Sequence, residues 1–232
     1  MEGERAFVQE LKPSSLRKDN HKIAFKYSIG GGYKTSAGWE PLGPAGYYSN
    51  FGPEVSFGPR LARKVKGGVA IAKFTHSGTQ ILDWTPAGSE AKSRNIYADF
   101  IAFVEQSISE LEAKGHSVEL AGIFYHVGEN DMSMHGYRKA AAERLKALIS
   151  QSRVDLKMPE LKWFVSQQPP TDDERVNSID VTKDLTEMMN ADEHTVHIKA
   201  FQLSGQEQKL VITTKGIVEL GELLADSYLK SL

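Results

Sequence analysis

The chain has 232 residues, with 28 Lys+Arg against 30 Asp+Glu for a formal charge of −2, and 40% of its residues are apolar. That length suits one domain spanning residues 1–232, and the near-neutral balance offers no global basic field for nucleic acid. The absence of cysteine removes thiol nucleophiles, Cys-ligated zinc, iron–sulfur clusters and disulfides, and leaves the compartment open.

The opening MEGERAFVQEL carries no apolar core of a signal peptide. The apolar stretches GVAIA and AGIF fall far short of the roughly 20 residues a membrane span needs. Residues 30–59 are rich in Gly and Pro, a loop region long enough to read as a functional surface rather than a connector. One strand-like run, Ile23–Ile29, precedes it. A short helix is expected over Val55–Val65 and a buried strand over Gly68–Thr75. Ile96, Phe100, Val104, Ile108 and Leu111 stand at helical spacing within 96–113, and Gly115 is the stop signal. A strand over Val118–His126 follows, then a helix over Tyr137–Ile149 with Ala141, Leu145, Leu148 and Ile149 on one face. Trp163–Val165 reads as a strand, Ser178–Met189 as a helix, Thr195–Leu203 as a strand and Lys215–Leu229 as the last helix. This alternation has the spacing of parallel crossover units. The expected fold class is α/β, a mainly parallel sheet with helices on both faces. In such folds ligands sit outside the carboxyl ends of strands.

Two of those ends are crowded with polar residues. After the strand ending at Thr75 comes His76-Ser-Gly-Thr-Gln-Ile-Leu-Asp-Trp84, where Gly78 and Thr79 suit an oxyanion hole built from backbone N–H groups; an ordinary glycine turn is the plainer reading. After the next core strand comes Tyr125-His-Val-Gly-Glu-Asn-Asp131. There His126 is a candidate general base and Glu129 with Asp131 a candidate carboxylate pair, or Asn130 and Asp131 cap the next helix.

Together these loops resemble the sialate O-acetylesterase and acetylxylan esterase group of SGNH-type carbohydrate esterases. Phe51-Gly-Pro-Glu-Val-Ser-Phe57 is one matching piece. His76–Trp84 follows the pattern G-G-T-x-I-x-x-W, and Tyr125–Asp131 follows W-x-Q-G-E-S/N-D. Ile212-Thr-Thr-Lys-Gly-Ile-Val-Glu-Leu-Gly221 is similar to the stretch after the family's catalytic histidine. The pieces stand in register over nearly the whole chain. The resemblance implies a three-layer α/β/α sandwich with a flavodoxin-like sheet. It implies removal of O-acetyl groups from sugars by a Ser–His–Asp constellation, without metal or organic cofactor. The implied partner is an acetylated glycan, with no role for nucleic acid or membrane. It places Gly78, Thr79, His126, Val127, Gly128, Glu129 and Asn130 around the oxyanion and substrate pocket.

The resemblance also marks departures. The family's G-Q-S-N-M-x-G meets this chain only at Met1-Glu2-Gly3, so the serine is expected two residues before Met1. The first strand is then expected to be missing, unless Ile23–Ile29 fills its place. The glutamine of Q-G-E is Val127. The family's D-x-x-H falls on Gln208 and Val211, and valine has no proton-accepting group. His194 and His197, three apart in a strand, face opposite ways and make poor substitutes, and no third ligand completes a zinc site. The expected protein is therefore a carbohydrate esterase in lineage with its triad lost. The alternatives are an active acetylesterase whose serine lies upstream of Met1, with His126 the nearest base, and a glycan-binding or interaction module.

Gly30-Gly31-Gly32 before Lys34-Thr35 fails the phosphate-loop pattern. Arg60, Arg63, Lys64 and Lys66 read as the solvated face of a helix. Trp39, Tyr47, Tyr48, Phe51 and Trp84 are candidate sugar-stacking rings, Trp39 and Trp84 foremost; packing over the sheet edge is the commoner role of such side chains.

Overall fold

The computed structural model describes residues 7–47, 49–90, 94–206 and 212–232. They fall into two compact units, one of the residues up to Ser77 together with those from Ala200 onward, the other of Gly78–Lys199.

The first unit is organised by β1 (Asn20–Ile29). Its Ile23, Phe25 and Ile29 are buried together with Leu42 and Ala45. β1 pairs in parallel with β4 (Val69–Thr75), from Ile23 opposite Val69 to Ile29 opposite Thr75. Two short strands pair with it antiparallel, β2 (Lys34–Thr35) and β3 (Glu40–Leu42). Periodicity could not announce either of these, because two or three residues hold too little of a pattern.

Between β3 and β4 runs α1 (Glu54–Ala62), shorter than the expected 55–65 at its end. It packs on α7 (Thr214–Leu229). Gly221 makes that approach possible, since a Cβ there would stand against the Pro53 carbonyl and the Ser56 hydroxyl. Ser56 Oγ donates to the Val218 carbonyl at 2.8 Å. Gly221→Ala is therefore expected to force the helices apart and cost about 1–3 kcal/mol, read as a lower midpoint in denaturant unfolding. An unchanged midpoint would show that the contact yields freely.

Inside this unit Lys73 of β4 and Glu54 of α1 form a buried ion pair, 3.1 Å apart. Lys73 Nζ also donates to the Ala45 carbonyl at 2.6 Å, and the Gly52 N–H donates to Glu54 at 3.0 Å. Charges taken out of water persist only when partnered in this way.

The second unit holds a parallel sheet in the order β5 (Ile123–Val127), β6 (Trp163–Gln167), β7 (Thr195–Lys199). Every side chain of the central β6 is buried, the signature of a strand covered on both faces. The expected α/β class holds, with parallel strands and helices on both sides; among the described residues four strands form the sheet of the first unit, which includes antiparallel strands, and three that of the second. β5 starts five residues later than expected because its partner strand begins only at Trp163, opposite Ile123. β7 stops at Lys199 because β6 ends opposite it.

The helices of this unit are the short α2 (Ile81–Trp84), α3 (Tyr97–Glu112), α4 (Glu129–Ser133), α5 (His135–Asp155) and α6 (Val181–Asn190). α6 starts where Asp180 accepts the Lys183 N–H at 3.0 Å, as an N-cap should. α5 outruns its apolar stripe by a further turn. Arg153 holds that turn down through Asp192 at 2.5 Å and the Leu161 carbonyl at 3.0 Å.

Candidate functional site

Within the second unit, the polar segment from Gly78 to Trp84 is tied to the one that follows β5. Gly78 adopts φ +69°, a conformation that favours glycine, and a Cβ there would meet open space. Its carbonyl accepts from Arg94 Nη1 at 2.8 Å. Two residues on, Gln80 opens α2 with a capping box closed by Asp83, whose carboxylate accepts the Gln80 N–H at 2.9 Å. The next amide, Ile81 N–H, donates to the Asp131 carboxylate at 3.0 Å. The loop after β4 is thereby fastened to α4, directly beside Gly128, Glu129 and Asn130.

Asp131 is thus a loop anchor. It does not cap α5, whose N-cap position is Met134 without a side-chain bond. Burial raises its carboxyl to about 7, and the nearby Asp83 and Glu129 charges add to that rise against the Ile81 hydrogen bond and Arg144. A carboxyl poised near neutrality suits acid–base work, but this one is 1% exposed and spent on the loop. Tyr125 titrates well above the ordinary range of a phenol, chiefly through burial, with the Asp131 and Asp83 charges adding to it.

His126 stands on β5 with Nδ1 2.8 Å from Ser166 Oγ. Burial lowers its pKa to about 3, which keeps the ring neutral and opposes the protonation that a general base must undergo. Ser166 itself is 1% exposed, so the pair is closed to an ester. Val127 is fully buried in the strand and brings no side-chain amide. His197 has both ring nitrogens engaged, Nε2 with Gln167 Oε1 at 2.8 Å and Nδ1 with Thr186 Oγ1 at 3.0 Å, and burial lowers it to about 4. His194 lies 3.8 Å from Glu193. Among the described residues no three His, Asp or Glu side chains are grouped to hold a metal ion.

Trp84, offered by the sequence as a stacking ring, is 9% exposed. Its edge contacts lie at 5.8 Å from Tyr125 and 6.1 Å from Phe100, and its indole N–H donates to Thr79 Oγ1 at 3.0 Å. It supports the loop from below, and the Thr79 hydroxyl is committed to it. Trp39 is half-buried in the first unit, just before β3. Gln208 and Val211, Met1–Gly3 and Tyr48 lie outside the described residues. The spacing missed Asp83 and Arg94. The one available signal was the pairing of Gln80 with Asp83 ahead of an apolar turn.

A family model described as carbohydrate esterase, sialic acid-specific acetylesterase, matches residues 9–230. No curated protein matches the sequence. Among solved structures, a protein from Arabidopsis thaliana is similar at 18% identity and TM-score 0.67, with 95% of this chain and 85% of that one covered. A carbohydrate acetylesterase from Xanthomonas citri is similar at 16% identity and TM-score 0.64, over 93% of this chain and 50% of that one. At such identities the likeness shows the fold.

Proposed function

We propose a glycan-binding role without ester hydrolysis for this chain, which belongs to the carbohydrate esterase family of sialic acid-specific acetylesterases. The family acts on acetylated carbohydrates, and the match across 9–230 supports reading both compact units as one SGNH-type domain. One observation carries the loss of chemistry: the sequence holds no histidine after His197. The family motif D-x-x-H falls on Gln208 and Val211, so nothing in that segment accepts a proton from a nucleophile. Of the remaining candidates, His126 is bonded to Ser166 through Nδ1 and kept neutral by burial, and His197 is engaged at both nitrogens, with Gln167 and Thr186. Nucleophile and base act as a unit, and a site without its base loses nearly all that the unit supplies.

What persists is the loop framework. Gly78, Thr79 and the Gly128–Asn130 turn are held by Asp131 and Trp84, and we read their backbone as the acetyl-sugar pocket. The experiment is calorimetric titration with O-acetylated N-acetylneuraminic acid beside its deacetylated form. Tighter binding of the acetylated sugar is expected; equal or absent binding of both would sink the reading.

A further inference from the structure

The geometry points to a sugar-stacking shelf made by Tyr33 and Tyr47 in the first unit, a subsite for a pyranose ring; this rests on the glycan-binding reading. β1 and β4 run parallel to a common end, with Ile29 opposite Thr75, and the carboxyl ends of parallel strands are where such sheets hold ligands. From that end the chain turns through Gly30, Gly31 and Gly32, with φ of +65°, +65° and +91°. The turn is tied to β4, because the Gly30 and Gly31 N–H groups both donate to the Thr75 carbonyl, at 2.7 and 3.4 Å.

The glycines also make room. A Cβ on Gly30 would coincide with the Tyr47 hydroxyl, and one on Gly31 would stand 3.0 Å from the His76 ring. Tyr47 therefore lies on bare backbone. Its loop is held from the other side by Lys34, whose Nζ donates to the Gly46 carbonyl at 3.1 Å. Tyr33 follows the turn directly, its ring centroid 5.2 Å from that of Tyr47 and tilted by 43°.

Tyr33 is 74% exposed. Left in water, such a ring forgoes the stabilisation that burial would bring, and three successive glycines cost conformational entropy. Neither expense serves the core formed by Ile23, Phe25 and Ile29. An exposed ring backed by a second, anchored one fits a pyranose, whose C–H face packs on the Tyr33 ring. Little ordering is then lost on binding, because Tyr47 is already held in place.

The test titrates O-acetylated N-acetylneuraminic acid into wild-type protein, Tyr33→Ala and Tyr33→Phe. Wild-type protein is expected to take up a second equivalent of the sugar, which Tyr33→Ala binds about tenfold more weakly with an unchanged unfolding midpoint and Tyr33→Phe within about twofold. A second equivalent held as tightly by Tyr33→Ala, or none in the wild type, overturns the shelf and leaves the glycan-binding reading standing. Absence of binding by the wild type overturns both. A Tyr33→Phe variant as weak as Tyr33→Ala rejects stacking, and self-association abolished by Tyr33→Ala with sugar affinity intact identifies the shelf as a protein contact instead.

Discussion

Replacing Lys73 by methionine is expected to destabilise the protein by about 3–5 kcal/mol. Methionine preserves most of the lysine stem, so the volume of the core next to β4 changes little. What changes is the partner of Glu54, a carboxylate 4% exposed that would be left with the Gly52 N–H alone. The Ala45 carbonyl would lose its donor as well. A buried pair adds little against an apolar replacement, yet breaking it from one side is costly. The double variant Lys73→Met with Glu54→Leu is therefore expected to recover most of the loss. Denaturant unfolding reads both. A single-variant cost under about 1 kcal/mol would mean that Glu54 finds water or another donor, and that α1 is less firmly seated than its contacts indicate.

The second large effect is a dependence of stability on pH set by Asp131. Its carboxyl is raised from 3.8 to about 7 in the folded protein, with burial the chief cause. The folded state therefore holds a proton that the unfolded state releases near pH 4. This contribution is fully present below about pH 4, is lost as pH rises toward 7, and stays lost above. A rise of about 3 units corresponds to roughly 4 kcal/mol at most. His126, lowered to about 3, and His197, lowered to about 4, act in the opposite sense. Their contribution is present above about pH 6.5 and is lost as the pH falls. The histidines and Asp131 overlap between pH 4 and 6.5, so the wild-type curve alone does not isolate any one of them.

Asp131→Asn does isolate the carboxyl. The amide oxygen can still accept the Ile81 N–H, and no charge forms. The variant is expected to be about 2–4 kcal/mol more stable than wild type at pH 8 and nearly equal to it at pH 4. A difference that is the same at both pH values would show that Asp131 does not titrate in this range. The effect bears on the site, because Asp131 is the fastening between the Gln80–Trp84 turn and α4.

The sequence disclosed most where a pattern repeats over many residues. α3 and α7 were legible to within a residue at each end because Phe100, Val104, Ile217, Leu220 and Leu224 mark one buried face apiece. α2 and α4, with four and five residues, complete too little of a helical period to be read. The antiparallel pairing of β2 and β3 with β1 was hidden for another reason. Which strand pairs with which is a matter of backbone hydrogen bonds, and side-chain alternation carries no record of partners. The site shows the same limit. The resemblance offers Gly78, Thr79 and Gly128–Asn130 as the candidate pocket, but Trp84 looks the same in sequence whether it faces a sugar or Tyr125 and Phe100. Its burial depends on rings far along the chain. His126 likewise reads as a base until Ser166 and the burial around it are known.

Acetate release from O-acetylated N-acetylneuraminic acid, followed at a protein concentration where calorimetry shows the sugar bound, separates a silent binding site from a working one. The sugar is expected to bind with acetate released no faster than in a protein-free blank, because neither Gln208 nor Val211 offers the acid–base partner a serine requires. Sustained turnover by this chain with Val211 in place would contradict it and return the protein to the working esterases of its family.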